Sequence, residues 1–347
     1  MNIQQAIDAL IERNDLGRQD MHTVMSAIMT GAASDAQIAG FLVALRIKGE
    51  TVDEITAAAS VMRELSTKVS ITAENLVDIV GTGGDGAKLF NVSTASSFVA
   101  AAAGCHVAKH GNRSVSSSSG SADLLEKAGV ELNLSPEAVA RCVEEIGLGF
   151  MFAVNHHSAM KHAITARKEL ATRTIFNMLG PMTNPAGVTR QLLGVYSSKL
   201  TRPIAEAMAS LGSEHVMVVH SNDGLDEISI AAATKVSELK GGEISEYILN
   251  PGDFDMPTGT LDDLVVDNSD QSLELIRSAF NAGKQDSRST TARNMIALNA
   301  GAAIYVAGVA SSLQEGVAIA ADCIGSGAAA QKVTELAELS KLLSSNT

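Results

Sequence analysis

The sequence has no tryptophan, three tyrosines and eight phenylalanines in 347 residues, so aromatics are 3% of the chain. That scarcity argues against a stacking platform for nucleobases or sugars. Cysteine is scarce as well. Cys105, Cys142 and Cys323 are odd in number and far apart, which gives neither a disulfide framework nor a metal-ligand spacing and suits a reducing compartment. Positive charge is in deficit, with 26 Lys and Arg against 39 Asp and Glu and a net charge of −13. Nucleic-acid and peripheral membrane surfaces need the opposite balance. The first residues, Met1 to Asp8, lack a basic and then apolar export pattern, so a cytoplasmic protein is expected. Two long uncharged stretches, 89–108 and 294–314, are rich in Ala, Gly, Ser and Asn rather than Leu, Ile and Phe. They read as buried helices, not membrane spans.

What is present is ample apolar material, 46% of residues, and a length of roughly two domains at about 150 residues each. Residues 1–70 read as a small all-helical domain. Ser34-Asp35-Ala36-Gln37 and Thr51-Val52-Asp53-Glu54 are capping boxes ahead of apolar residues at helical spacing, such as Ile38, Phe41, Leu42 and Leu45. From 71 to 347 the pattern alternates. Short apolar strands are expected at 77–80, 106–109, 149–153, 191–196 and 215–220. Helical segments lie between them, one opening at Ser135-Pro136, and 270–347 is again mostly helical. The fold class is α/β: a small all-helical domain plus a large α/β domain whose mostly parallel central sheet is flanked by helices. A segment near 165–190 is a candidate to join the small domain.

After the first strand comes Gly81-Thr82-Gly83-Gly84-Asp85-Gly86, a match to G-x-G-x-x-G. A nicotinamide-binding unit also wants an acid about 20 residues on to hold the ribose. None occurs between Asp85 and Asp123, so the dinucleotide reading fails while a phosphate reading survives. Glycines let the backbone approach an anion, and Asn91-Val92-Ser93-Thr94 opens a helix with free N–H donors. The plain alternative is a tight strand-to-helix turn capped by Asn91. A second cluster, Lys109-His110-Gly111-Asn112-Arg113 followed by Ser114 to Ser121, adds two cations, a histidine and hydroxyl donors. Its alternative is a solvated Ser-rich loop. Arg167 lies in the basic run 156–168, which is otherwise a surface helix, and a guanidinium pairs with a carboxylate through two bonds. Asp226-Glu227 follows the 215–220 strand, where adjacent carboxylates can hold a hard cation or belong to a solvated acidic loop. Asp223 is a decoy for that role.

Gly81–Asp85, Asn91–Thr94 and Lys109–Arg113, with the block Arg173-Thr174-Ile175-Phe176-Asn177-Met178-Leu179-Gly180-Pro181-Met182-Thr183-Asn184-Pro185, resemble the anthranilate phosphoribosyltransferases of tryptophan biosynthesis. The resemblance runs along essentially the whole chain. It implies transfer of the 5-phosphoribosyl group from phosphoribosyl pyrophosphate to the amine of anthranilate, with release of pyrophosphate. By resemblance the donor is bound by Gly81, Gly84, Asp85, Asn91, Val92, Ser93, Thr94, Lys109, His110, Gly111, Asn112, Arg113, Ser114, Val115, Ser116, Ser117 and Ser121. Anthranilate is held by Gly81, Asn112 and Arg167; His110 and His157, which match no metal-ligand arrangement, read as pocket wall or as groups supporting it. Two Mg²⁺ per active site are implied, with Ser93, Asp226 and Glu227 as ligands. No dedicated catalytic side chain is expected, and a homodimer through the helical domain is implied. Leu89 stands where the family usually has Thr or Ser, Ser118 replaces a frequent Lys or Arg, and His157-Ser158 replaces a common His-Pro. The competing readings are a pyrimidine nucleoside phosphorylase-like enzyme and a non-catalytic relative that binds nucleic acid. The net charge does not oppose an anionic substrate, because residues 86–122 carry three Lys or Arg and no acid, and residues 146–205 carry seven against Glu169 alone.

Overall fold

The computed structural model describes residues 1–114, 119–281, 283 and 286–345. The chain opens with four helices, α1 (Ile3–Ile11), α2 (Arg18–Met29), α3 (Asp35–Lys48) and α4 (Val52–Glu64). Ser34 and Thr51 cap α3 and α4 with reciprocal boxes through Gln37 and Glu54, as their spacing predicts, and Asn2 with Gln5 does the same for α1. Each box satisfies backbone donors that a helix end otherwise leaves open.

The strands β1 (Leu76–Gly81), β2 (His106–Gly111), β3 (Leu148–Phe152), β4 (Arg190–Gly194), β5 (His215–Ser221), β6 (Thr234–Lys240) and β7 (Glu243–Leu249) form one sheet in the order β3-β2-β1-β4-β5-β6-β7. The pairings from β3 through β5 are parallel, and β6 and β7 extend the sheet antiparallel. The antiparallel pair is absent from the sequence expectation. Its turn, Gly241-Gly242, has both φ values positive, +60° and +86°, the geometry of a two-residue hairpin.

Some expected boundaries shift. In the 89–108 stretch only α5 (Val92–Ala102) is helical; Gly104, at φ +92°, ends it and β2 begins at His106. The 294–314 stretch is cut likewise at Gly308, φ +87°, between helices Ser287–Ala307 and Leu313–Gly325. The 156–168 run is not one helix but falls in three short ones, Ala153–His156, the 3-10 helix Ser158–His162 and Ile164–Leu170. No described helix is long and apolar enough to cross a membrane.

Alternation along the strands divides the core. Leu192, Met217 and Val219 face a cluster built with α5 and the C-terminal helices. Their neighbours Leu193, Val216 and Val218 face the other way, into a cluster continuous with Met25, Ile28, Phe41 and Val61 of the helical bundle.

Candidate active site

The parallel strands run outward from β1 in both directions, to β2 on one side and β4 on the other. Open α/β sheets bind ligands in the crevice beyond the strand ends at such a reversal. The glycine loop leaves β1 at that point, and the loop after β5 folds back over it. Gly83 N–H donates to Asp226 Oδ2 at 2.6 Å, and neither Gly81 nor Gly194 has room for a Cβ beside Asp226. Residues 81, 194 and 226, remote in sequence, are thus packed closely, Gly81 against the Asp226 carboxylate and Gly194 against the Asp226 backbone.

Three carboxylates gather there. Burial, and then the charge of Asp85, pushes Asp226 up to about 6. Burial and then Asp226 hold Glu227 well above the usual carboxylate range, while the Ser93 N–H donates to it. Lys109 is the counter-charge. It is buried, with Nζ 2.7 Å from the Ile79 carbonyl and 3.4 Å from Ser93 Oγ. Among the described residues no group of three or more His, Cys, Asp or Glu could hold a metal ion. The expected set has two carboxylates and one hydroxyl, so an ion there would complete its shell with water or substrate oxygens. The residues fit that role, because clustered carboxylates that raise one another's pKa are relieved by a divalent charge.

The other expected residues differ in how free they are. Asn91 begins α5 but does not cap it with its side chain. Its Oδ1 accepts from Ser119 and Ser272, and its Nδ2 donates to the Ser119 carbonyl. Val92 and Thr94 are buried, and Thr94 Oγ1 has no hydrogen-bond partner among the described residues. Gly111 closes β2 against Ser121, whose Oγ would lie 2.9 Å from an added Cβ. Asn112 is exposed and accepts from the Arg113 N–H, and the Ser114 N–H donates to Asp123. The Arg113 guanidinium is engaged with Asp123 at 3.0 Å and with both oxygens of Glu126. Val115, Ser116, Ser117 and Ser118 lie outside the described residues.

Of the residues expected to hold the acceptor, Arg167 has its guanidinium 5.2 Å from the Phe176 ring centroid, burial lowers its pKa, and among the described residues it makes no salt bridge. A half-buried guanidinium without an acidic partner is suited to an anionic ligand. His110 and His157 stand 5.0 Å apart. Burial is the main cause that moves both down, His157 to about 4, so both are neutral at pH 7. Each has an unpartnered buried Nε2. Asp223 accepts from the hydroxyls of Ser221 and Ser229. Leu89, at one of the departures, forms a bridge with Val265.

Two groups went unassigned in the sequence. Asp78, at the heart of β1, is fully buried and accepts from Asn184 Nδ2 at 2.8 Å and His110 N–H at 3.2 Å. Its place inside the otherwise apolar strand run 77–80 was the visible signal, since a charge buried in a strand requires partners. Arg173 reaches the Gly84 carbonyl, and only its place in the 173–185 block hinted at a function.

Residues 4–66 match the helical bundle domain of a glycosyl transferase family, and residues 73–330 match that family's α/β domain. An anthranilate phosphoribosyltransferase from Marinobacter nauticus is 61% identical over 98% of this chain and 99% of its own. One from Cellvibrio japonicus is also 61% identical, over 99% and 100%. Among solved structures, the anthranilate phosphoribosyltransferase of Thermus thermophilus superposes with a TM-score of 0.90 at 40% identity, covering 97% of this chain and 99% of that one. That of Saccharomyces cerevisiae, in complex with PRPP and Mg, gives 0.89 at 25% identity and 98% coverage of both. The sheet's reversal, where a glycine loop meets an Asp-Glu pair, thus lies in a chain that belongs to the anthranilate phosphoribosyltransferases of this glycosyl transferase family.

Proposed function

We propose that the protein transfers the 5-phosphoribosyl group of phosphoribosyl pyrophosphate to the amine of anthranilate, giving N-(5-phosphoribosyl)anthranilate and pyrophosphate. The observation that carries this reading is the meeting of Asp226-Glu227 with the glycine loop and the start of α5. Two such carboxylates beside a glycine loop and a helix start suit a metal-bound diphosphate, and the full-length relatives carry the corresponding name.

On the donor side, Gly81, Gly84, Asp85 and Asn91 to Thr94 line the diphosphate and ribose, and Lys109 to Ser117 with Ser121 complete the contacts. Arg113 would exchange Glu126 for donor phosphate. Lys109, buried beneath Ser93, would act as a fixed positive charge under the site. On the acceptor side, Arg167 pairs with the anthranilate carboxylate, and Asn112 and Gly81 flank the ring. Ser93, Asp226 and Glu227 would hold Mg²⁺, two ions per site, with Glu227 shared. When bound, Mg²⁺ supplies charge neutralisation for the departing pyrophosphate oxygens. The chain's own part is to orient donor and acceptor in line and to exclude water. No side chain is assigned as general base, since the amine can lose its proton after attack.

We divide the chain at residue 70, between the end of α4 at Glu64 and the start of β1 at Leu76. The bundle exposes Ile11, Val43 and Ile47, the first on α1 and the other two on one face of α3. We assign the homodimer to that apolar face. All three cysteines are free thiols, which suits a cytoplasmic enzyme.

The test is loss of anthranilate fluorescence on mixing with phosphoribosyl pyrophosphate and Mg²⁺. Turnover is expected; no loss at high enzyme concentration would overturn the assignment.

A further inference from the structure

The glycine loop is intrinsically loose. Gly83, Gly84 and Gly86 have φ of +65°, +79° and +78°, a region open to glycine in many alternative conformations. Within the loop, the Ala87 N–H donates to Asp85 at 3.2 Å, and the Gly83 N–H is tied to Asp226 at 2.6 Å. The tip at Gly84 is held from outside by the Arg173 guanidinium, which donates to its carbonyl. That guanidinium lies 4.4 Å from the Tyr196 ring centroid. Tyr196 in turn gives its N–H to Thr82 Oγ1 at 3.0 Å, so the stacking platform is itself fastened to the loop's first turn.

Arg173 is fixed from the helical bundle. Arg46, in the last turn of α3, donates to the Arg173 carbonyl at 2.7 Å and to the Thr172 hydroxyl. The contacts form a chain from α3 through Arg46, the 172–173 backbone and the Arg173 side chain to the tip of the glycine loop.

We propose that Arg173 is a positioning residue for the phosphorylated donor, and that Arg46 couples the seating of the helical bundle to the shape of the glycine loop. A peptide unit is planar and trans, so fixing the Gly84 carbonyl toward Arg173 fixes the Asp85 N–H in the opposite direction. A loop that presents amides to an anion is useful only while its carbonyls point elsewhere. Ordering it in advance removes a cost that the donor would otherwise meet on binding. The donor role rests on the function proposed above; the latch itself does not.

The test compares wild type with Arg173→Ala, Arg173→Lys and Arg46→Ala by amide hydrogen exchange without substrate, then by steady-state kinetics. Arg173→Ala should speed exchange at residues 83–87 by about tenfold, the scale of one charged hydrogen bond, and leave the helix Ser287–Ala307 unchanged. Arg46→Ala should do the same more weakly, and Arg173→Lys, which keeps a donor but loses the planar stack, should restore part of the protection. The KM for phosphoribosyl pyrophosphate should rise about tenfold in Arg173→Ala while that for anthranilate moves less than about twofold. Unchanged loop exchange in Arg173→Ala overturns the latch. Faster exchange with a rise confined to the anthranilate KM overturns the donor role. Faster exchange in a protein with no transferase activity sustains the latch and rejects the reaction.

Discussion

The Asp226 carboxylate occupies the space where a side chain on Gly81 would begin: a Cβ built at 81 falls 2.4 Å from Oδ2, and one on Gly194 falls 1.6 Å from the Asp226 carbonyl oxygen. The loop after β5 is therefore seated on two glycines at the ends of β1 and β4. This seating brings a carboxylate to the glycine loop.

Gly194→Ala should disable this arrangement, because the obstructing atom is backbone and cannot rotate away. Destabilisation of about 3 kcal/mol or more is expected, read as a fall in the urea midpoint. Wild-type stability together with wild-type activity would contradict the close packing.

Glu227→Gln and Asp226→Asn should weaken Mg²⁺ dependence and lower kcat by about 10²-fold, the scale of lost electrostatic stabilisation. Titrating activity against Mg²⁺ checks this. An unaltered half-saturation concentration in both variants would remove them as ligands.

Arg167→Ala should raise the anthranilate KM by about 10–100-fold, the equivalent of about 1.5–3 kcal/mol for a charged hydrogen bond, with a small effect on the donor KM. Equal changes in both would place the acceptor elsewhere.

Asp78 should leave a signature in stability against pH. Burial raises its pKa from 3.8 to about 6, so the folded state holds its proton over a range where the unfolded chain has released it. Its contribution is complete below about pH 4 and is lost as pH rises through about 6, with a slope of up to about 1.4 kcal/mol per pH unit. Asp78→Asn cannot titrate, so the difference between variant and wild type should change between pH 4 and 6 and be flat above 7. Chemical denaturation at several pH values would show it.

Ile47→Glu, on the exposed face of α3, should yield a monomer by light scattering with an unchanged circular dichroism spectrum. A persistent dimer would move the interface off this face.

Much of the site could be read locally because its parts are contiguous. The glycine loop, the Asn91–Thr94 helix start and the capping boxes at Ser34 and Thr51 each need only a few neighbouring residues. The acidic cluster was half legible, since Asp226 and Glu227 are adjacent but Asp85 joins them only through the sheet's crossing. The β6–β7 hairpin was missed because β7 is an edge strand, and most of its side chains are exposed or half-buried; its apolar alternation is weak. The commitment of Arg113 to Asp123 and Glu126 was readable in principle, since both acids follow within thirteen residues. The inward course of Lys109 was not, because it depends on Asp78 and Ser93 in two other elements.

The outer face of β4 and β5 is covered jointly by the helix Thr201–Ser210, through Ile204 and Met208, and by the helical bundle. Leu193, Val216 and Val218 share one apolar mass with Met25, Ile28 and Phe41, so removing the first helices would bare part of that face rather than trim an appendage. Apolar surface of that kind is a route to aggregation. The two halves, separable as sequence families, are thus one cooperative unit in stability: heat should melt them in a single transition, and a change in the bundle's interior should be felt at the strands that carry the active site.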